Sequence, residues 1–179
     1  LKTPQDLLTR LKTQPQSLAL GFASAFGNSR HIGAGMLIRA VGGNPRDLKT
    51  VVFKGSAEAI SALLGGHIEV AILGAINSVA HVASGKMRVL AAATPRRFGG
   101  ALANVPTWRE LGVDVVTGAW GGVFSAKNLP PAQLAFWEEA MRQVSQNPGW
   151  KADLDKNYWL DDFAVGAQFR KALEKDYRS

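Results

Sequence analysis

Apolar residues recur along the chain in two alternating rhythms, short continuous runs and stripes spaced three or four residues apart. The first stripe, Leu7, Leu8 and Leu11, follows Thr3-Pro4-Gln5-Asp6. Threonine as N-cap, proline in the first turn and an acid at the third position predict a helix start there. Ser17 to Ala23 reads as a strand. Gly27-Asn28-Ser29 then leads into a helix carrying Ile32, Met36 and Leu37, stopped at Gly42-Gly43. The unit repeats: strand Thr50 to Phe53, loop Lys54-Gly55, and a helix capped by Ser56 with Ile60, Leu63 and Leu64 inward, up to Gly65-Gly66. Strand Glu69 to Leu73, a helix near Asn77 to Ser84 and strand Val89 to Ala93 follow. Short, nearly continuous apolar strands alternating with helices predict an α/β fold, a parallel or mixed sheet flanked by helices.

Beyond the polar loop Thr94 to Asn104, Thr107-Trp108-Arg109-Glu110 has the pattern of a capping box for a short helix. Extended segments are expected near Asp114 to Thr117 and Trp120 to Ser125. Pro130-Pro131 opens a long amphipathic helix bearing Leu134, Trp137, Met141 and Val144. Two more helices are expected from Trp150 to Ser179, around Tyr158-Trp159 and Phe163. Trp137, Trp150 and Trp159 read as packing residues, and Trp120 as either a core filler or a cleft wall.

Composition narrows the chemistry. There is no cysteine among the 179 residues, which excludes thiolate zinc sites, iron–sulfur clusters, cysteine nucleophiles and disulfides. The net charge of +7 suits either nucleic acid or small anions. The basic residues are dispersed rather than gathered into a stripe, so no nucleic-acid partner is expected. The chain starts at Leu1 without a leader, as expected of a processed or truncated product.

The most suggestive chemistry lies in three loops that follow successive strands: Ser24-Ala25-Phe26-Gly27-Asn28-Ser29, Lys54-Gly55-Ser56 and Gly74-Ala75-Ile76-Asn77-Ser78. In an open α/β sheet, ligands bind beyond the carboxyl ends of the strands. Helix N-termini there present amide N–H groups and a dipole that favours an anion. Ser24, Asn28, Ser29, Ser56 and Asn77 add side-chain donors, although serine and asparagine at such positions also serve simply as caps. No glycine-rich nucleotide cradle is present. His31, His67 and His81 lack metal-ligand spacing, so neither a metal nor a cofactor is expected. A triad of Ser29, His81 and Asp114 can be written on paper, but nothing resembles a nucleophile elbow. Lys54 beside a glycine suits anion pairing better than covalent catalysis. No enzyme is expected.

Several linked motifs carry a resemblance. Phe53-Lys54-Gly55-Ser56-Ala57, Leu63-Leu64-Gly65-Gly66-His67-Ile68-Glu69-Val70 and Ser84-Gly85-Lys86-Met87-Arg88-Val89-Leu90-Ala91 match, in order, motifs of one family. Asn104-Val105-Pro106-Thr107, Trp120-Gly121-Gly122-Val123 and Asn157-Tyr158-Trp159 extend the match. The chain resembles the tripartite tricarboxylate transporter substrate receptors, also called Bug-type or TctC-like. That resemblance implies a type II periplasmic-binding-protein-like fold whose two lobes close on a small di- or tricarboxylate. It implies a periplasmic, exported receptor that hands its ligand to a membrane permease. It also implies that residues 1–118 form the second ligand-binding lobe and residues 119–179 return to the first lobe.

The N-terminal part of that first lobe is expected to be missing, leaving an incomplete cleft and apolar surface that makes an oligomer possible. Ligand contacts are expected from Ser24, Ala25, Gly27, Asn28, Ser29, His31, Lys54, Gly55, Ser56, Ala75, Asn77 and Trp120. The chain departs from the family pattern at Asn28 and Arg30, which change the donors of the first loop. It departs again at Gly121, where arginine is common, and in the third loop, which lacks the acid of amino-acid-binding members. A cytosolic effector-sensing domain of a transcription regulator is the alternative reading, because such domains share the broad fold.

Overall fold

The computed structural model describes residues 1–178, and the chain divides into two compact units, Leu1–Trp120 and Gly121–Ser179. In the first unit, α1 (Pro4–Thr13) begins as its sequence dictates. The Thr3 hydroxyl accepts from the Asp6 amide, and the Asp6 carboxylate accepts from the Thr3 amide, a completed capping box. Strands β1 (Ala19–Ala23), β2 (Lys49–Phe53) and β3 (Val70–Ile72) alternate with α2 (Ser29–Ala40), α3 (Ser56–Leu64) and α4 (Ile76–Ala83). The sheet is parallel, in the order β2-β1-β3, with Ala19 opposite Lys49 and Leu20 opposite Val70.

The central strand β1 is buried along its whole length, as expected for a parallel strand covered on both faces. Leu20 joins Leu7, Leu8, Leu11, Leu18, Ala34, Leu37, Trp108 and Val115 in the main core, so α1 and α2 cover that face. On the other face, Gly21 leaves room that the Ile68 and Phe53 side chains occupy. A Cβ placed there would clash with the Ile68 side chain and stand 2.8 Å from Phe53 Cε2.

Three expected strands form no ladder. Residues 89–93 contribute only the isolated parallel bridge Ala92↔Thr107. Near 114–117 the chain forms no strand and is tied down by a bond from the Thr117 amide to the Ala93 carbonyl, 2.9 Å. The segment 120–125 forms no strand. These stretches are partly apolar, but strand status needs a continuous partner.

Two helix starts also differ from expectation. Gly55, not Ser56, is the N-cap of α3, and Ser56 is its first helical residue. The Thr107–Glu110 box does form, with the Thr107 amide donating to Glu110 Oε2 at 2.7 Å. It caps a single 3-10 turn, Arg109–Leu111.

The second unit holds α5 (Pro131–Gln146), α6 (Pro148–Lys156) and α7 (Gly166–Arg178). The stripe predicted on α5 is present but uncovered: Leu134, Trp137 and Val144 are about half exposed. Trp150 and Trp159 are likewise exposed, which corrects their reading as packing residues. Leu154 is the buried hydrophobic residue among the described residues of this unit. No helix among the described residues is long and apolar enough to cross a membrane.

Candidate functional site

Because β1, β2 and β3 run parallel, their carboxyl ends meet at one edge of the sheet, and the three loops leave from that edge. Neighbouring strands lie about 4.8 Å apart, so the loops are close neighbours, with the β1 loop between the other two. The predicted residues Ser24, Ala25, Gly27, Asn28, Ser29, His31, Lys54, Gly55, Ser56, Ala75 and Asn77 are thereby gathered along one rim. Trp120, at the end of the first unit, is 50% exposed and therefore not a core residue.

The β1 loop is built by its own hydrogen bonds. Ser24 takes a positive φ of 88° while its amide donates to the Phe53 carbonyl at 3.0 Å, turning the chain off the sheet. Gly27 has φ 82°, a conformation natural to glycine. Asn28 Oδ1 accepts from the amides of Arg30 and His31, both at 3.0 Å, and its Nδ2 donates to the Ala23 carbonyl at 2.8 Å. Its side chain is thus engaged within the loop, as a cap.

His31 Nδ1 accepts from the Gly27 amide at 3.0 Å. A nitrogen that accepts carries no proton, so the neutral ring holds its proton on Nε2. The ring stacks on buried Phe22 at 5.3 Å and meets Phe26 edge-on at 5.2 Å, which fixes its plane. Phe26 itself is 64% exposed at the rim.

Fewer backbone donors are open than a bare helix-end argument suggests. Glu58 Oε2 accepts from the Lys54 amide at 3.1 Å, and the Asn77 and Ser78 amides bond back to Gly74 and Ala75 at 3.0 Å. Among the described residues of the three loops, the amides of Ala25, Phe26, Asn28, Ser29, Gly55, Ser56, Gly74, Ala75 and Ile76 make no hydrogen bond. They are the donors left for an anion. Of the paper triad, Asp114 pairs with Arg109 at 2.7 Å, and no hydrogen bond joins it to His81. Among the described residues, no three metal-ligating side chains cluster.

One residue was not predicted as a contact. Arg30, partly buried in the first turn of α2, sends its guanidinium to the third loop. A Cβ built on Gly74 would stand 3.7 Å from Arg30 Nη2 and 3.3 Å from Asn77 Nδ2. A cation in the first turn opposes the helix dipole by about 0.3–1 kcal/mol, and that misplacement was its signal in the sequence.

A parallel α/β unit whose donor-bearing loops collect at one sheet edge has the layout in which open α/β sheets bind their ligands. Comparison with known proteins agrees and is more specific. The family described as "Tripartite tricarboxylate transporter family receptor" matches residues 1–177, and the chain belongs to it.

A TctC solute-binding protein from Polaromonas, solved without ligand, superposes with a TM-score of 0.80 at 25% identity. The match covers 99% of this chain and 59% of that one. The fold of R. palustris Rpa4515, solved with adipate, is also similar: TM-score 0.73, 21% identity, 99% of this chain and 57% of that one. A "UPF0065 protein in gbd 5'region" of Cupriavidus necator is 25% identical over 156 residues, 87% of this chain and 46% of its own. The chain therefore spans about half the length of the curated relative and under two thirds of the solved proteins. Members of this family are solute-binding receptors, not enzymes. The effector-sensing alternative rested on a shared broad fold and gains nothing from these matches.

Proposed function

We propose that this chain is the ligand-binding part of a periplasmic, exported receptor. It captures a small di- or tricarboxylate and delivers it to the permease of a tripartite tricarboxylate transporter. The family match over residues 1–177 carries this reading. The open amides of the first two loops supply the chemistry an anion needs, and the adipate bound by Rpa4515 is an acid of the same class. In this reading residues 1–118 are the second lobe and 119–179 return to the first, whose remaining part the longer relatives carry. Uncovered apolar residues on α5 are consistent with that arrangement.

The test is calorimetric titration of the complete protein containing this chain with adipate, succinate and citrate. Binding of at least one acid is expected, with a rise in melting temperature. No heat and no melting shift with any of the three would overturn the reading.

A further inference from the structure

We propose that Arg30 and Asn77 form a two-armed clamp over Gly74 that grips one carboxylate of the ligand, making Arg30 a specificity-determining residue. The inference rests on the receptor reading above and adds the residue that selects charge.

Four observations converge. Arg30 and Asn77 come from different helices, α2 and α4, yet both side-chain nitrogens approach the position where any residue other than glycine at 74 would carry a Cβ. Both are pure donors at those atoms, and no carboxylate of the described residues forms an ion pair with Arg30. Arg30 as a residue is partly buried, so its charge is less fully screened than that of an exposed surface lysine. Its place in the first turn of α2 works against the helix, which leaves an anion from outside as the group that satisfies it.

A planar guanidinium takes a carboxylate through two parallel N–H···O bonds, and an amide nitrogen alongside supplies a third donor. The open amides of the β1 and β2 loops then face the rest of the ligand, so a second carboxylate has donors of its own. The ligand class that follows is a dianion whose two charged ends are held by different loops.

The experiment is titration of the complete protein with adipate, succinate, citrate and adipate monomethyl ester, for wild type, Arg30→Gln and Arg30→Lys. Arg30→Gln is expected to weaken the tightest of the diacids or citrate by about ten- to a hundredfold, the range for a lost bond to a charged group. The ester should bind the wild type as weakly as the diacid binds Arg30→Gln. Arg30→Lys should fall between, keeping the charge without the fork. Without ligand, Arg30→Gln should melt at or above the wild-type temperature, since its side chain holds nothing inside the protein.

Diacid binding unchanged in Arg30→Gln overturns the clamp while the receptor reading stands. An unliganded Arg30→Gln that melts well below wild type also overturns it, by making Arg30 a structural residue. No acid binding to wild type overturns both.

Discussion

Replacing Asn28 with alanine removes three hydrogen bonds at one point: two accepted from the Arg30 and His31 amides and one donated to the Ala23 carbonyl. Loss of an asparagine cap costs about 1 kcal/mol, and a partly buried side-chain bond to backbone about 0.5–1.5 kcal/mol. The expected destabilisation is therefore about 2 kcal/mol, a melting shift of roughly 4–8 °C at this chain length. Asn28→Asp separates the two parts. It keeps the acceptor and adds charge favourable to the N-terminus of α2, but it loses the donor and sets a carboxylate against the Ala23 carbonyl. It should cost about 1 kcal/mol or less. Urea unfolding followed by circular dichroism measures both variants. Amide exchange at Arg30 and His31 should accelerate in the alanine variant and stay slow in the aspartate. Asn28→Ala within about 0.5 kcal/mol of wild type would refute the reasoning, as would an aspartate no better than alanine.

Gly21→Ala on the central strand places a Cβ against Ile68 and Phe53. Overpacking of this kind costs about 1–3 kcal/mol, more than alanine gains over glycine in a strand, so urea unfolding should show net destabilisation. Glu110 is held below the usual carboxylate range, first by the Arg97 guanidinium and then by the Thr107 amide. A depressed carboxyl contributes stability that is present above about pH 4.3 and lost as pH falls through its lower folded value. Glu110→Gln should therefore flatten the acid limb of the stability–pH curve, and an unchanged slope would dismiss the contribution. Leu11→Ala, at a fully buried position of the main core, should cost about 2–5 kcal/mol by thermal or urea unfolding.

What was legible in the sequence is what neighbouring residues decide among themselves. The capping box at Thr3 and Asp6, the glycine stops after α2 and α3, and the three strands that build the sheet are settled by local periodicity and cap chemistry. The segments that failed as strands depend on partners far along the chain. Residues 89–93 are apolar, but only Ala92 finds a bridge. Tryptophans on α5 and α6 looked like core because their spacing is amphipathic. Amphipathic spacing says which face is apolar, not whether this stretch of chain supplies the cover. In the site, the loops were visible as small polar residues after strands. Which donors remain open was not, because it turns on Asn28, His31 and Glu58 occupying specific amides. Arg30 was visible as a cation in the first turn of α2 that changes the first loop, but its reach to the third loop is tertiary geometry.

The strand order β2-β1-β3 puts the earliest strand of the chain in the middle of the sheet. Its partners arrive later, Lys49 to meet Ala19 and Val70 to meet Leu20. The longer closure costs only about 0.5 kcal/mol more in chain entropy than the shorter. Loop length therefore ranks the two events weakly, and the five paired positions of β1 with β2 against three with β3 favour the first. This predicts a nucleus of β1, β2 and the helix between them, with β3 docking afterwards. Destabilising changes in β1 should then slow folding, whereas those in β3 should mainly hasten unfolding. In that order the rim of candidate donors would be completed only in the second event, with the β1 and β2 loops formed before the loop that carries Asn77.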